Sequence, residues 1–450
     1  MIELSIDSAP PDAMTPSLWR DPSGWMRDKQ LSRSYWVFFS AAFFFDAGFA
    51  VYYFLFNLYL LDCGYHERQI GWIGGALTLG SVVGTLPAGA LTRRIGIERV
   101  LTVLFLVAPL LHAIRVFWIW EPAQIGLAFV SGLAMSNWGV CFLPAIARLT
   151  TEKNRTAAFS LIFSVSVGTS MFGGIVCGYL RNVLAMAGVA MQPVDVKRFI
   201  LLAASVTVLL GLFPLFRLRI PEQISETSPE EKTAYPDASW IDRLRLPPVR
   251  SFLARFLFCM ALWSALLAAF TPFANIYLAR DLHIPMEQIG LLFSVVQVVQ
   301  LCMGLLTPMV FRAMGLVKGI AAMQVAAALL LWAMAAVTEA RLAVVLYLTF
   351  SAAQWMSSPG LYNLLMSATP DGERSSAASM TLFLNALASS GATATAGLLF
   401  TRFGYPPVFV GLGVGAVVSA MLFLLLMTQP QESSSGQDAA GDQHRAQCSL

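Results

Sequence analysis

Apolar residues do not alternate with polar ones along this chain. They run in long blocks, and polar or Pro/Gly breaks divide those blocks into twelve stretches, near 35–60, 70–92, 100–120, 123–147, 157–180, 199–217, 252–279, 288–311, 317–337, 342–367, 376–401 and 407–428. Each has about the twenty residues that an α-helix needs to cross a bilayer. The pattern predicts an all-α polytopic membrane protein with 12 transmembrane helices. Being even in number, the helices place both termini on one side. Composition agrees: 57% of the 450 residues are hydrophobic and 12% charged, too few polar groups to coat a water-soluble surface.

The basic residues give the orientation, because Lys and Arg near helix ends resist translocation. With the N-terminus inside, most of the 29 Lys and Arg fall on the cytoplasmic side, whereas Arg68, Arg181, Lys197, Arg198, Arg280, Arg341 and Arg402 fall outside. Both termini are therefore expected in the cytoplasm. Residues 1–33 lack the apolar core of a signal peptide and are expected to form a cytoplasmic segment. The Pro- and Glu-containing stretch 219–250 reads as a hydrated linker between bundles over 34–218 and 251–428, and the Ser/Gln-rich stretch 429–450 as a disordered cytoplasmic tail. A net charge of +3 is small for this length and argues against nucleic acid as a partner. The six cysteines are scattered without metal-ligand spacing, so no metal, disulfide framework or cofactor is expected.

A shift of about 219 positions lays one half of the chain on the other. Asn57-Leu-Tyr59 then meets Asn275-Ile-Tyr277, Gln69-Ile-Gly71 meets Gln288-Ile-Gly290, Arg93 and Gly96 meet Arg312 and Gly315, and Gly178 meets Gly397. Asn137-Trp138 meets Gln354-Trp355 at nearly the same shift. The common register makes these short matches informative. Two parallel six-helix repeats place a substrate path between the halves and let one rock against the other.

The run Gly89-Ala-Leu-Thr-Arg93-Arg94-Ile-Gly96-Ile-Glu98-Arg99, directly after the second apolar stretch, resembles the motif Gly-x-x-x-Asp-Arg/Lys-x-Gly-Arg/Lys-Arg/Lys of the major facilitator superfamily. Gly89, Arg94 and Gly96 match, while Arg93 stands where the family has Asp and Ile97-Glu98 where it has two basic residues. The resemblance extends from Tyr35 to about Thr428 and implies two pseudo-symmetric six-helix bundles. In the family the motif belongs to a charge network that helps to hold one conformational state, which makes Gly89, Arg93, Arg94, Gly96 and Arg99 a candidate gating loop.

Asp46 falls near the middle of the first stretch, where an ionised carboxylate is expensive unless it faces water, a partner or a proton site. Helical spacing puts Tyr53 and Asn57 on the same stripe. Asp46 is expected to bind a proton or a cationic group of the solute, or else to hydrogen-bond a neighbouring helix. Helices 1, 4, 7 and 10, with parts of 2, 5, 8 and 11, line the central cavity in the family, so the resemblance adds Asn137, Trp138, Asn275, Tyr277, Gln297, Gln300, Gln354, Trp355 and Asn385 as candidates. His112 and Arg115 lie one turn apart in the third stretch, which is peripheral in the family. Arg115 is accordingly expected to play a structural part or to snorkel toward the surface. The glycines of the fifth stretch, Gly168 to Gly178, are read chiefly as close helix packing.

No nucleotide-binding Gly-x4-Gly-Lys-Ser/Thr loop occurs, which disfavours a primary pump. No clustered nucleophiles or paired acids suggest an enzyme. A secondary transporter of a small organic solute in the plasma membrane, such as a bacterial inner membrane, is the expectation, with protons as a second partner. Proton-coupled efflux, uptake symport and uncoupled facilitation stay open.

Overall fold

The computed structural model describes residues 31–186, 191–220, 251–369 and 374–427. Residues 221–250 of the expected linker over 219–250, the expected tail over 429–450 and the first 30 residues lie outside the described residues. Twelve long helices follow in order: α1 (Arg33–Asp62), α2 (Glu67–Ile95), α3 (Ile97–Phe117), α4 (Glu121–Leu149), α5 (Glu152–Met186), α6 (Pro193–Leu210), α7 (Phe252–Phe270), α8 (Met286–Met314), α9 (Leu316–Ala336), α10 (Ala340–Ala368), α11 (Arg374–Phe403) and α12 (Tyr405–Met427). Ten stretches are long and apolar enough to cross a membrane by themselves, and α2, interrupted at Pro87, brings the number to 11. The remaining helix, α10, has the length at 29 residues but carries Thr349, Ser351, Gln354, Ser357 and Ser358 among its apolar side chains.

Local chemistry sets the helix ends, and it repeats between the halves. Ser32 caps α1 by accepting a hydrogen bond from the Tyr35 amide, and Ser251 caps α7 by accepting one from the Ala254 amide, both at 3.1 Å. Gly96 (φ 84°) turns α2 into α3, and Gly315 (φ 81°) turns α8 into α9. Only glycine adopts that left-handed backbone without strain, so one conformation recurs at the matched positions of the repeat.

Helices α1 to α6 pack on one another as one bundle, and α7 to α12 as a second. Lipid supplies no hydrophobic drive between helices, so small residues and close van der Waals contact carry the packing. A Cβ on Gly80 of α2 would strike the Phe129 backbone of α4, and one on Gly48 of α1 would strike the Ala204 carbonyl of α6. The bundles meet along two matched seams, α2 against α11 and α8 against α5. One helix is irregular where they meet. After Phe270, α7 passes through a 3-10 turn (Thr271–Phe273), a short α turn (Ala274–Ile276) and a π turn (Tyr277–Asp281), in place of the single helix over 252–279 that hydropathy predicts. Pro272, which has no amide hydrogen, starts the break.

Candidate functional site

Between the bundles lies a cavity of about 490 Å³. Phe49, Tyr53, Phe54 and Asn57 of α1 form one wall, Ile73, Leu77 and Thr78 of α2 a second, and Ser170 and Gly174 of α5 a third. Thr271, Pro272 and Asn275 from the break in α7, Phe293 and Gln297 of α8, and Thr393 of α11 complete it from the other bundle. A mostly apolar, aromatic wall with a few fixed polar groups is the usual make-up of a small-molecule site.

Above this cavity, where α1 ends and α2 begins, the two bundles are clasped together. Asn57 Nδ2 donates to the Pro272 carbonyl and Asn275 Nδ2 to the Phe54 carbonyl, both at 2.9 Å. A Cβ on Gly71 would lie 3.0 Å from Gly397 Cα, and one on Gly290 would run into the Gly174 carbonyl. Ser390 Oγ donates to the Gly75 carbonyl at 2.7 Å, and Ser294 Oγ to the Met171 carbonyl at 2.6 Å. Closest to the surface, Arg280 Nη1 bonds both carboxylate oxygens of buried Glu67, at 2.9 and 2.8 Å. Every one of these contacts sits at the same end of the molecule, here termed the far end. The near end is the one from which α1 starts.

Toward the near end, the Asp46 carboxylate accepts a hydrogen bond from Ser166 Oγ at 2.7 Å. Asp46 stands one turn from Phe49 and Ala50, and Ser166 one turn from Ser170, all three of which line the cavity. The pair therefore marks the near-end margin of the cavity, tying α1 to α5. Nothing in the sequence signals the choice of Ser166.

Other candidates are placed unevenly. Tyr53, Asn57, Asn275 and Gln297 line the cavity. Trp138 and Trp355 are not among its lining residues: Trp138 stacks on Phe45 with ring centroids 4.2 Å apart and also packs on Phe38, Phe105 and Phe142. Asn137 spends its amide on the Leu133 and Ala134 carbonyls of its own helix. Trp355 is exposed, Gln300 donates to Ser351 Oγ, and Tyr277 lies in an aromatic cluster with Phe270, Tyr405 and Phe409. The side-chain oxygens of Asn137, Asn275, Gln354 and Asn385 are buried without a hydrogen-bond partner.

Arg115 departs from the sequence expectation. It does not reach for the surface: only 3% of it is exposed, and it lines the cavity. Its guanidinium carbon sits 4.3 Å from the centre of the Phe56 ring. His112, a turn away, stacks on Tyr52 at 4.0 Å.

The family model described as Major Facilitator Superfamily matches residues 38–393 and 268–447. The chain belongs to the Major Facilitator Superfamily. No curated protein sequence matches it. Among solved structures, the nucleoside transporter NupG superposes with a TM-score of 0.70 at 13% identity, covering 88% of this chain and 100% of its own. A bacterial homologue of the lysosomal transporter Spinster, solved in an inward-facing and unoccupied conformation, gives 0.72 at 12% identity over 88% of this chain and 97% of its own. The xylose transporter XylE from E. coli, in an inward open conformation, gives 0.64 at 15% identity over 90% and 98%. At such identities the likeness is one of fold.

As a member of the Major Facilitator Superfamily, this protein carries its variant loop motif at the near end of α2. Gly96 supplies the turn, Arg93 and Arg94 occupy the last turn of α2, where cations complement the helix dipole, and both are exposed along with Arg99. Glu98, in place of a basic residue, accepts a hydrogen bond from the Ile220 amide just beyond α6. Gly89 has no contact closer than Arg93 Nη1, 3.7 Å from where its Cβ would stand.

Proposed function

We propose that this protein is a secondary transporter that carries a small organic solute by alternating access. The solute occupies the cavity between the bundles, and Asp46 takes up and releases a proton in each cycle. The observation that carries the reading is a central cavity sealed at one end by contacts that all lie on the boundary between two matched bundles. A boundary of that kind opens by rocking one bundle on the other, without unfolding either.

Proton coupling rests on Asp46. A carboxylate in mid-membrane with a single hydroxyl partner is held neutral or charged according to what neighbours it, and a solute one turn away is such a neighbour. A D-xylose–proton symporter shares this fold, so the fold is compatible with proton coupling. With the termini in the cytoplasm, the far end faces outward, and the near end is the route by which solute enters or leaves in the state described. The bundles over 34–218 and 251–428 move as the two bodies, with 219–250 as the connection between them.

The test is flux through the purified protein in liposomes holding a pH-sensitive dye, against a panel of sugars, nucleosides, amino acids and organic acids. Proton movement that depends on one solute and is lost in Asp46→Asn is the expected result. Solute flux without proton movement, unchanged in Asp46→Asn, contradicts the coupling and leaves a uniporter.

A further inference from the structure

The third helix places one side chain on the cavity wall, and that side chain bears a full charge. Arg115 Nε donates to Gln124 Oε1 at 3.3 Å. Gln124 is itself held by the end of α3, donating to the Arg115 and Trp118 carbonyls at 2.6 and 2.8 Å. The face of Phe56 supports the guanidinium from the side. These partners are all neutral. Among the described residues, the ion pairs join Lys197 to Asp62, Arg198 to Asp195 and Arg280 to Glu67, and Arg115 takes part in none.

A guanidinium presents five N–H donors in a fork that matches a carboxylate, and Gln124 occupies one of them. Holding such a group 3% exposed in the membrane without a counter-charge is costly, and neither the helix C-terminus nor the Phe56 ring satisfies the fork. The side of the fork that Gln124 leaves free is reached through the cavity that Arg115 lines. Around it the walls are chiefly aromatic and aliphatic: Phe49, Tyr53, Phe54, Leu77 and Phe293.

We propose that Arg115 is the anchor for a carboxylate on the transported solute, which makes the solute class an organic monocarboxylate with an apolar or aromatic body. This rests on the reading of the cavity as the solute site. The guanidinium fork receives the carboxylate, and the aromatic walls receive the body. Gln124 is a positioning residue that fixes the direction of the fork.

The probes are two matched series, 3-phenylpropanoate with its amide and amine, and hexanoate with its amide and amine. Their binding to the full-length protein in detergent is measured by calorimetry, and their flux into proteoliposomes in parallel. In at least one series the acid is expected to bind about tenfold or more tightly than the amide and the amine, as a charge-assisted bidentate contact implies. Arg115→Gln brings the acid down to the level of the amide, while Arg115→Lys, which keeps the charge and loses the fork, retains part of the preference. If Arg115→Gln does not fold, the wild-type series and Arg115→Lys still decide. Equal affinities for acid and amide in the wild type, or a preference left intact in Arg115→Gln, overturn the assignment. Acid binding without flux of any panel solute retains the anion site and sinks the transport reading, whereas flux of another solute with no acid preference does the reverse.

Discussion

Asn57 and Asn275 make the same hydrogen bond in opposite directions. Each donates its amide at 2.9 Å to a carbonyl of the other's helix, Pro272 for Asn57 and Phe54 for Asn275, three residues before the partner asparagine in both cases. The two positions also match in the sequence repeat. A pseudo-two-fold axis therefore passes between them, and the far-end closure is built from one contact used twice.

Asn57→Ala and Asn275→Ala are expected to loosen this closure by similar amounts. A neutral hydrogen bond contributes about 0.5–1.5 kcal/mol net, so the double variant shifts the closed-to-open ratio by about 1–3 kcal/mol, roughly fivefold to a hundredfold or more. The check is the alkylation rate of Tyr53→Cys by an impermeant maleimide added at the far end. Equal rises in the single variants and a larger one in the double are expected; a response to only one asparagine contradicts the reciprocal clasp.

Glycine permits the backbones to approach at the two seams. Gly71→Ala places a Cβ 2.8 Å from the Thr393 carbonyl, and Gly290→Ala drives one into Gly174. Overpacking costs about 1–3 kcal/mol, so either change is expected to reduce solute flux by about tenfold or more through failure to close. Gly139→Ala and Gly304→Ala, which meet open space, serve as controls and leave flux unchanged. Equal losses in the controls would remove the seams from the account.

The helices, the two-bundle fold and the repeat were legible because lipid makes hydropathy and glycine spacing speak directly about structure. Gly96 and Gly315 even announce one shared backbone turn. What stayed hidden depends on which helix faces which. The resemblance makes the third stretch peripheral, yet the long Arg115 side chain lies against Phe56 of α1 and lines the cavity. The matched Asn57 and Asn275 appeared as a polar stripe, but their carbonyl partners require the break at Pro272, whose course a linear pattern does not give. Asn137-Trp138 and Gln354-Trp355 match in the sequence repeat, while in space Trp138 belongs to an aromatic core.

Trp138→Ala is accordingly expected to act on stability. Losing its contacts with Phe45, Phe105 and Phe142, at about 0.5–1.5 kcal/mol for each aromatic pair, costs about 2 kcal/mol or more. A lower melting temperature with unchanged solute affinity in the folded protein is the expected outcome. Unchanged melting with weakened affinity would return Trp138 to the binding site.

The Glu67–Arg280 pair closes the far end at its rim, with side-chain exposures of 4% and 48%. Because Arg280 is half exposed and screened, Glu67→Gln is expected to weaken closure by only about 1 kcal/mol, and added salt mimics part of that effect. The charge-swapped pair Glu67→Arg with Arg280→Glu is expected to recover closure in the same maleimide assay. No recovery would mean that the carboxylate acts through other neighbours.

The most direct test of alternating access is a pair of distances between spin labels in a protein whose Cys63, Cys302 and Cys448 have been replaced by Ser. Labels at positions 68 and 402, exposed on opposite bundles, report the far end, and labels at 94 and 312 report the near end. On titration with a transported solute, rocking predicts a new population in which the far-end distance lengthens while the near-end distance shortens. Two distances that stay fixed, or lengthen together, would contradict it.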